Sequence, residues 1–359
     1  MERMKAVVCD RYGSPDVLRV AEIDQPSVPD DGVLVRVHAS SVNPVDFFSL
    51  SGVKYAARML AGGLKPKLEV LGIDFAGTVE AVGKSVTQLR PGDEVFGGRP
   101  GAFAEYVCLP ENGPVVRKPL NVTFETAAAV PVAALTALQA IRDHGRMQPG
   151  QNVLINGASG GVGTFAVQIA RAFGAHITAV CGPRNRDAIR SIGADRVIDY
   201  TQEDFTRSGE RYDLMLDIAG SRSWSECTRV LAPHATLVAV GGSANTVSGG
   251  GRTLKHLAGI RLASLGGSRK AAFFITKLNQ ADLLVVQELL ETGRVVPVVD
   301  RQYELSEVPA AFRYMAEGHA KGKIVINVRA ADSPGQMQTG IRIEKQRPSP
   351  SVLDPSMVH

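Results

Sequence analysis

The chain is expected to be an α/β protein that joins a β-rich unit to a doubly wound parallel sheet. Three observations predict this. The first third consists of short runs rich in β-branched residues, separated by Gly, Pro and Asp. From residue 152 onward, apolar strand candidates alternate with helical segments, the rhythm of parallel βα units. Where the first of these strands meets its helix stands Asn156-Gly157-Ala158-Ser159-Gly160-Gly161-Val162-Gly163, a glycine-rich turn. The 359 residues suggest about two domains at roughly 150 residues each.

In chain order, residues 5–9, 17–20 and 33–39 read as strands. Pro29-Asp30-Asp31-Gly32 and Pro91-Gly92-Asp93 punctuate them, and 77–82 and 94–96 continue the pattern. Residues 126–141 turn helical and alanine-rich. Six strand candidates follow, at 153–155, 176–180, 196–198, 213–216, 236–240 and 261–265. The helix after the glycine turn places Val162, Phe165, Ala166, Ile169, Ala170 and Phe173 on one face, at i, i+3, i+4, i+7, i+8 and i+11. A further amphipathic helix spans 283–291 and is closed by Gly293. Residues 302–305 and 324–328 read as strands that cannot join the parallel sheet without another crossover, so they are expected to rejoin the first unit. The expected units are 1–125 with 268–330, and 126–267 between them. The Pro/Ser/Gln-rich stretch 331–359 is expected to be a disordered tail.

Composition excludes several classes. Forty basic and 36 acidic residues leave a formal charge of +4, without the clustered basic face of nucleic-acid binders. No run of about 18 or more apolar residues suggests a membrane span, and the start of the chain shows no apolar signal region. Cys9, Cys108, Cys181 and Cys227 are scattered, which argues against disulfide scaffolds and closed zinc knuckles. A cytoplasmic protein is the expectation. His38, His144 and His176 have no ligand partner at suitable spacing and read as structural.

The glycine turn carries the chemistry. Glycines permit a tight turn, close approach of backbone to a pyrophosphate, and close helix–strand packing. Ser159, Gly160, Gly161 and Val162 open the helix, where unpaired amides meet phosphate charge. After the second strand, an acidic residue would hold the ribose 2′-hydroxyl of NAD. This chain has Val180-Cys181-Gly182-Pro183-Arg184-Asn185-Arg186, with no carboxylate before Asp187. Arg184 or Arg186, flanking Asn185, suits a 2′-phosphate, so NADPH is expected over NADH. Tyr200, after the third strand, is either an adenosine contact or ordinary packing.

These features resemble a known family. Asn43-Pro44-Val45-Asp46, Leu71-Gly72-Ile73-Asp74-Phe75-Ala76-Gly77, Pro91-Gly92-Asp93-Glu94-Val95-Phe96-Gly97, Gly101-Ala102-Phe103-Ala104-Glu105-Tyr106, Leu135-Thr136-Ala137 and Gly318-His319-Ala320-Lys321-Gly322-Lys323 accompany the glycine turn. The chain is similar to zinc-independent quinone oxidoreductases of the medium-chain dehydrogenase/reductase superfamily. The resemblance implies a GroES-like β-rich catalytic domain plus a Rossmann doubly wound parallel sheet, a cleft between them, and a homodimer. Zinc-dependent relatives carry a cysteine where this chain has Asn43 and Gly-His-Glu where it has Gly72-Ile73-Asp74. Isoleucine cannot ligate zinc and an amide is a poor substitute for thiolate, so no metal site is expected.

The resemblance also implies roles. Asn43 stands near the nicotinamide as an orienting residue, and Asp46 either caps the next helical turn or acts chemically. Thr136 lies beside the nicotinamide or its ribose. Gly241 and Gly242 let backbone pass close to the cofactor, Phe274 belongs to a segment that meets the carboxamide, and Ala320 and Lys321 form a cofactor-contacting turn. The chain departs from the pattern at Phe48, where several relatives have tyrosine; Tyr55, displaced by one position, is the candidate donor to the acceptor oxygen. Three readings stand. The leading one is NADPH-dependent, metal-free hydride transfer to a small-molecule quinone or an α,β-unsaturated carbonyl (enone or 2-alkenal). The others are an alcohol dehydrogenase of the same superfamily and an NADPH-binding sensor or scaffold with little turnover.

Overall fold

A computed structural model describes residues 2–50, 69–240, 267–318 and 320–328. Near the start, β1 (Arg3–Cys9) pairs antiparallel with β2 (Arg19–Asp24) and with β4 (Glu69–Val70). The strand expected at 17–20 begins later because Pro15 opens a 3₁₀ turn, Pro15–Val17, in which Val17 N donates to Ser14 O. Proline suits such a start, since it fixes φ and has no N–H to place.

A seven-stranded sheet forms around β3 (Gly32–Ser41). β5 (Asp74–Val82), β7 (Tyr106–Pro110) and a strand from the far end of the chain all pair with β3. β6 (Glu94–Gly98) and β8 (Val115–Arg117) extend it. With partners on both edges and packing on both faces, β3 is buried along most of its length, as its Val-rich sequence requires. Phe75, Phe103 and Phe312 lie in its core, the last two packed edge to face.

The parallel sheet contains β9 (Asn152–Asn156), β10 (His176–Cys181), β11 (Arg196–Asp199), β12 (Tyr212–Asp217), β13 (Leu231–Ala239) and β14 (Lys270–Phe273), in the order β11-β10-β9-β12-β13-β14. The sheet therefore extends past residue 267, where its end was expected. The candidate strand at 261–265 lies outside the described residues. Helix Gln280–Glu291 also joins this side: Leu283, Val286 and Leu290 share a core with helices Pro131–Gln139 and Gly161–Ala172. β15 (Val299–Glu304) and β16 (Lys323–Asn327) pair with each other, and β16 pairs antiparallel with β3. The chain thus returns to the first sheet after building the second.

The helical stretch expected at 126–141 is broken. Helix Phe124–Ala128 starts on a Thr123 capping box, and Pro131 begins a new helix at Pro131–Gln139. A proline ring would clash with the turn before it, so one continuous helix is excluded. The second helix ends in a wide π turn, Ala140–His144, closed by Gly145 N donating to Ala140 O at 2.8 Å. The face predicted for helix Gly161–Ala172 is present, with Phe165, Ala166, Ile169 and Ala170 fully buried. Gln168 lies on another side of it and is buried as well; its amide exchanges hydrogen bonds with the backbone of Val296. No helix among the described residues is long and apolar enough to cross a membrane. The expected tail, 331–359, lies outside the described residues.

Candidate active site

The strand order of the parallel sheet reverses between β9 and β12, and ligands of open α/β sheets bind at the carboxyl ends of strands at such a switch point. Here these ends are tied together: Asn156 Nδ2 donates to Asp217 Oδ1 at 2.8 Å. The glycine turn leaves β9 at the same place. Gly157 has φ +92°, a conformation that favours glycine. A Cβ on Gly163 would lie 2.2 Å from Gly157 O, so this glycine lets the helix close on the turn. Gly160 is the N-cap of helix Gly161–Ala172, and a Cβ there would meet nothing nearer than 3.7 Å. The first-turn amides have no intrahelical acceptor. The turn therefore presents bare backbone donors with room beside them, which fits a pyrophosphate. Ser159, Gly160, Gly161 and Val162 are all half-buried at this rim.

A second group sits beyond β10. Pro183–Asn185 forms a 3₁₀ turn that exposes Arg184, with Arg186 exposed at the start of the next helix. Among the described residues neither arginine has an ion-pair partner. Tyr200, 60% exposed, lies against the same turn: a Cβ on Gly182 would be 3.5 Å from its hydroxyl. Arg184, Asn185 and Tyr200 are thus gathered on one edge of the sheet, with two cations and no carboxylate between Gly182 and Arg186.

The third group is a buried polar cluster. Asn43, 2% exposed, sits where β3 ends and helix Pro44–Leu50 begins. Its backbone N–H donates to Asp46 Oδ2 at 2.8 Å, so Asp46 caps this turn. Asn43 Nδ2 donates to Asp74 Oδ2 at 2.8 Å, and Lys323 Nζ donates to Asn43 Oδ1 at 2.6 Å. Asp74 is fully buried and also receives Ser41 Oγ at 2.7 Å, Lys323 Nζ at 3.2 Å, and the backbone N–H of Val132 at 2.8 Å on its other oxygen. That last bond fixes the N-terminal turn of helix Pro131–Gln139 to the cluster. Thr136, one turn on, donates to Val132 O at 2.6 Å and lies 2.7 Å from the Thr276 hydroxyl. The threonine has a single proton, so Thr276 must donate to it.

Two cofactor candidates are engaged within the protein. The Phe274 ring stacks on His144, with centroids 4.2 Å apart, and burial lowers the pKa of that histidine. The Lys321 backbone N–H donates to Asp300 Oδ2 at 2.9 Å. The Ala320–Lys321 turn nevertheless lies beside the glycine turn, since Gly322 forms a β-bridge with Gly160. Tyr55, Gly241 and Gly242 lie outside the described residues. Asp74 and Lys323 stand inside sequence motifs that assign neither a role, and Ser41 and Thr276 stand outside those motifs. Asp74 was signalled only by its place in the glutamate position of Gly-His-Glu. Among the described residues, no three His, Cys, Asp or Glu side chains gather as a metal-binding group.

Comparison with known proteins places the chain in a family. The family model for the alcohol dehydrogenase GroES-like domain matches residues 29–120, and that for zinc-binding dehydrogenase matches residues 192–326. The chain is 37% identical over 363 residues to the mitochondrial NAD(P)H oxidoreductase RTN4IP1 of Mus musculus, covering 90% of this chain and 89% of that one. It is 32% identical to the 2-methylene-furan-3-one reductase of Solanum lycopersicum, covering 90% and 79%. The solved quinone oxidoreductase of Coxiella burnetii superposes with a TM-score of 0.78 at 28% identity, covering 91% and 100%. With a nucleotide-type glycine turn at the switch point of a Rossmann sheet and a GroES-like sheet beside it, the chain belongs to the quinone-oxidoreductase-like branch of the medium-chain dehydrogenase/reductase superfamily, as an NAD(P)H-dependent oxidoreductase.

Proposed function

We propose that this enzyme uses NADPH, without a metal, to reduce a quinone or an α,β-unsaturated carbonyl. The observation that carries the reading is the meeting of the glycine turn with the buried cluster through the Gly160–Gly322 bridge, next to the Asn43 corner. A reduced nicotinamide bound here supplies a hydride to the acceptor carbon. The protein's part is to hold the two in line and to meet the negative charge that grows on the acceptor oxygen. Ser159, Gly161 and Val162 meet the pyrophosphate through backbone amides, and Gly160, whose own N–H donates to Gly157 O, leaves the room beside them. Arg184 and Asn185, with Arg186 beside them, take the 2′-phosphate, and Tyr200 covers the adenosine end. Gly241, Gly242, Phe274, Ala320 and Lys321 line the cofactor through backbone. Thr136 and Thr276 border the nicotinamide side, and Asn43 orients the ring. Tyr55 donates to the acceptor oxygen, so Tyr55→Phe should lower kcat with little change in NADPH affinity.

The chemistry of the cluster supports metal-free reduction. The Asn43 amide, in the position of a zinc-ligating thiolate in relatives, is already held between Asp74 and Lys323. A zinc ion there would have to displace the Lys323 ammonium. We propose the unit division 1–125 with about 298–328 for the catalytic part and about 126–297 for the nucleotide part, consistent with the membership of β14 and β15. A homodimer is proposed too: among the described residues β14 is the last strand on that side of the parallel sheet, with Phe273 and Ile275 exposed. The buried thiols suit a reducing compartment such as the cytoplasm, burial pushing Cys181 up to about 11 and Cys227 up to about 12.

The test is an NADPH-oxidation screen over quinones, enones, 2-alkenals and plain aldehydes, with NADH in parallel. Turnover of the first three classes with NADPH supports the reading. Alcohol or aldehyde turnover that requires zinc refutes it in favour of a dehydrogenase. NADPH binding without reduction of any acceptor refutes it in favour of a sensor.

A further inference from the structure

The buried cluster contains a residue whose role none of the above assigns. Lys323 is 3% exposed, and its ammonium has three acceptors: Val42 O at 3.3 Å, Asn43 Oδ1 at 2.6 Å and Asp74 Oδ2 at 3.2 Å. An ammonium has three protons and no lone pair, so this donor set is fully committed. It has none left over for a phosphate. Burying a lysine is costly even when it is paired, and an apolar residue of similar volume would often serve stability as well. The cluster is therefore better explained by the geometry it imposes.

That geometry is specific. Lys323 only donates and the Asp74 carboxylate only accepts. Between them the Asn43 amide has one possible orientation, oxygen toward Lys323 and nitrogen toward Asp74. The lysine stem meanwhile runs along the glycine turn: a Cβ on Gly161 would lie 3.0 Å from Lys323 Cδ. Its backbone is pinned from behind, with Lys323 N donating to Val298 O at 2.8 Å. Gly322, at φ +113°, is packed so closely that a Cβ would lie 2.3 Å from the same carbonyl. One side chain thus spans from the phosphate-binding turn to the Asn43 corner.

We infer that Lys323 is a positioning residue of the reduction site, setting the orientation of the Asn43 amide and holding Asn43 in register with the glycine turn. The inference rests on the function proposed above. It predicts a split between binding and turnover, because the pyrophosphate amides stay in place while the orienting amide loses its partner. A displacement of about 1 Å at a reacting centre lowers rate by roughly 10²-fold.

The experiment compares full-length wild type, Lys323→Met, and Lys323→Met with Asp74→Asn, the last removing the carboxylate that the first leaves without its cation. Three quantities are read: kcat with the best acceptor of the screen, NADPH Kd from nicotinamide fluorescence, and, without cofactor, hydrogen exchange of the Asn43 side-chain amide, assigned by its loss in Asn43→Asp. The expected result is a kcat lower by about 10- to 100-fold in every folded variant, an NADPH Kd changed by less than about tenfold, and faster exchange of the Asn43 amide. A folded variant, single or double, that keeps kcat within twofold of wild type and keeps slow exchange overturns the inference and leaves Lys323 a fold element. If wild type binds NADPH but reduces nothing, the proposed reaction fails. The exchange measurement then decides Lys323 alone: unchanged exchange overturns it and faster exchange sustains it.

Discussion

Two glycines three residues apart should respond to the same substitution in opposite ways. Gly163→Ala would place a methyl 2.2 Å from Gly157 O and 2.6 Å from Ala158 C, both backbone atoms that cannot rotate away. The nearest ordinary contact is roughly 1 Å longer, so the helix must lift from the turn; overpacking of this kind costs about 1–3 kcal/mol. In a chain of 359 residues that lowers Tm by roughly 1–4 °C. Gly160→Ala meets nothing nearer than 3.7 Å and needs no positive φ, since Gly160 has φ −82° and ψ 177°. Alanine is a poorer N-cap than glycine but a stiffer unfolded chain, so these effects offset to within about 1 kcal/mol. On the proposed binding mode its methyl enters the space of the pyrophosphate, and NADPH Kd should rise about tenfold or more, or about 1.4 kcal/mol. Differential scanning fluorimetry and a fluorescence titration of NADPH, run on both variants, read the two effects separately. If Gly160→Ala binds NADPH like wild type, or Gly163→Ala keeps the wild-type Tm, the assignment of one glycine to the ligand and the other to packing is wrong.

Other predictions follow from the same site. Arg184→Ala with Arg186→Ala should raise the Kd for NADPH by at least about tenfold and leave that for NADH nearly unchanged; equal losses measured by titration would remove the 2′-phosphate from this loop. Extended dialysis against a strong chelator should leave turnover unchanged, and zinc at one equivalent per active chain by elemental analysis would contradict metal-free reduction. Asp282 supplies a pH test. Burial pushes its pKa up, but donors on Asn279, Arg142 and Gln139 outweigh that and hold it below the usual aspartate value of 3.8. A depressed folded pKa gives stability that is fully present above the unfolded value and lost as pH falls through the folded one. Asp282→Asn should therefore be less stable than wild type by about 1–3 kcal/mol in urea at pH 7, and the gap should narrow below about pH 4. A gap that stays constant from pH 7 to pH 3 would refute the role of the charge.

Strands β9, β10 and β12 were legible because each is largely buried and reads as a mostly apolar run between turn residues. The glycine turn and the basic loop after β10 were legible because each is a local device, complete within about eight residues. Elsewhere local pattern misled. Alanine-rich sequence concealed the break at Pro131, where the ring forces a new helix. The short strand Lys270–Phe273 has no periodicity long enough to announce it, and only pairing with β13 defines it.

The chain's own residues thus specify an α/β enzyme with a dinucleotide-type turn, a basic loop after the second parallel strand, an Ile73 that cannot ligate zinc and an Asn43 that is a poor substitute for a thiolate. Those properties reside in contiguous segments, whose chemistry does not depend on distant partners. The buried cluster is different. Asp74 and Lys323 are 249 positions apart, and Asp74 and Asn43 are 31 apart, so no window of sequence contains the ion pair or the amide between its two ends. The return of β16 to β3 brings Lys323 under the glycine turn. A charge becomes a positioning device only when folding removes its water and leaves three fixed acceptors in place.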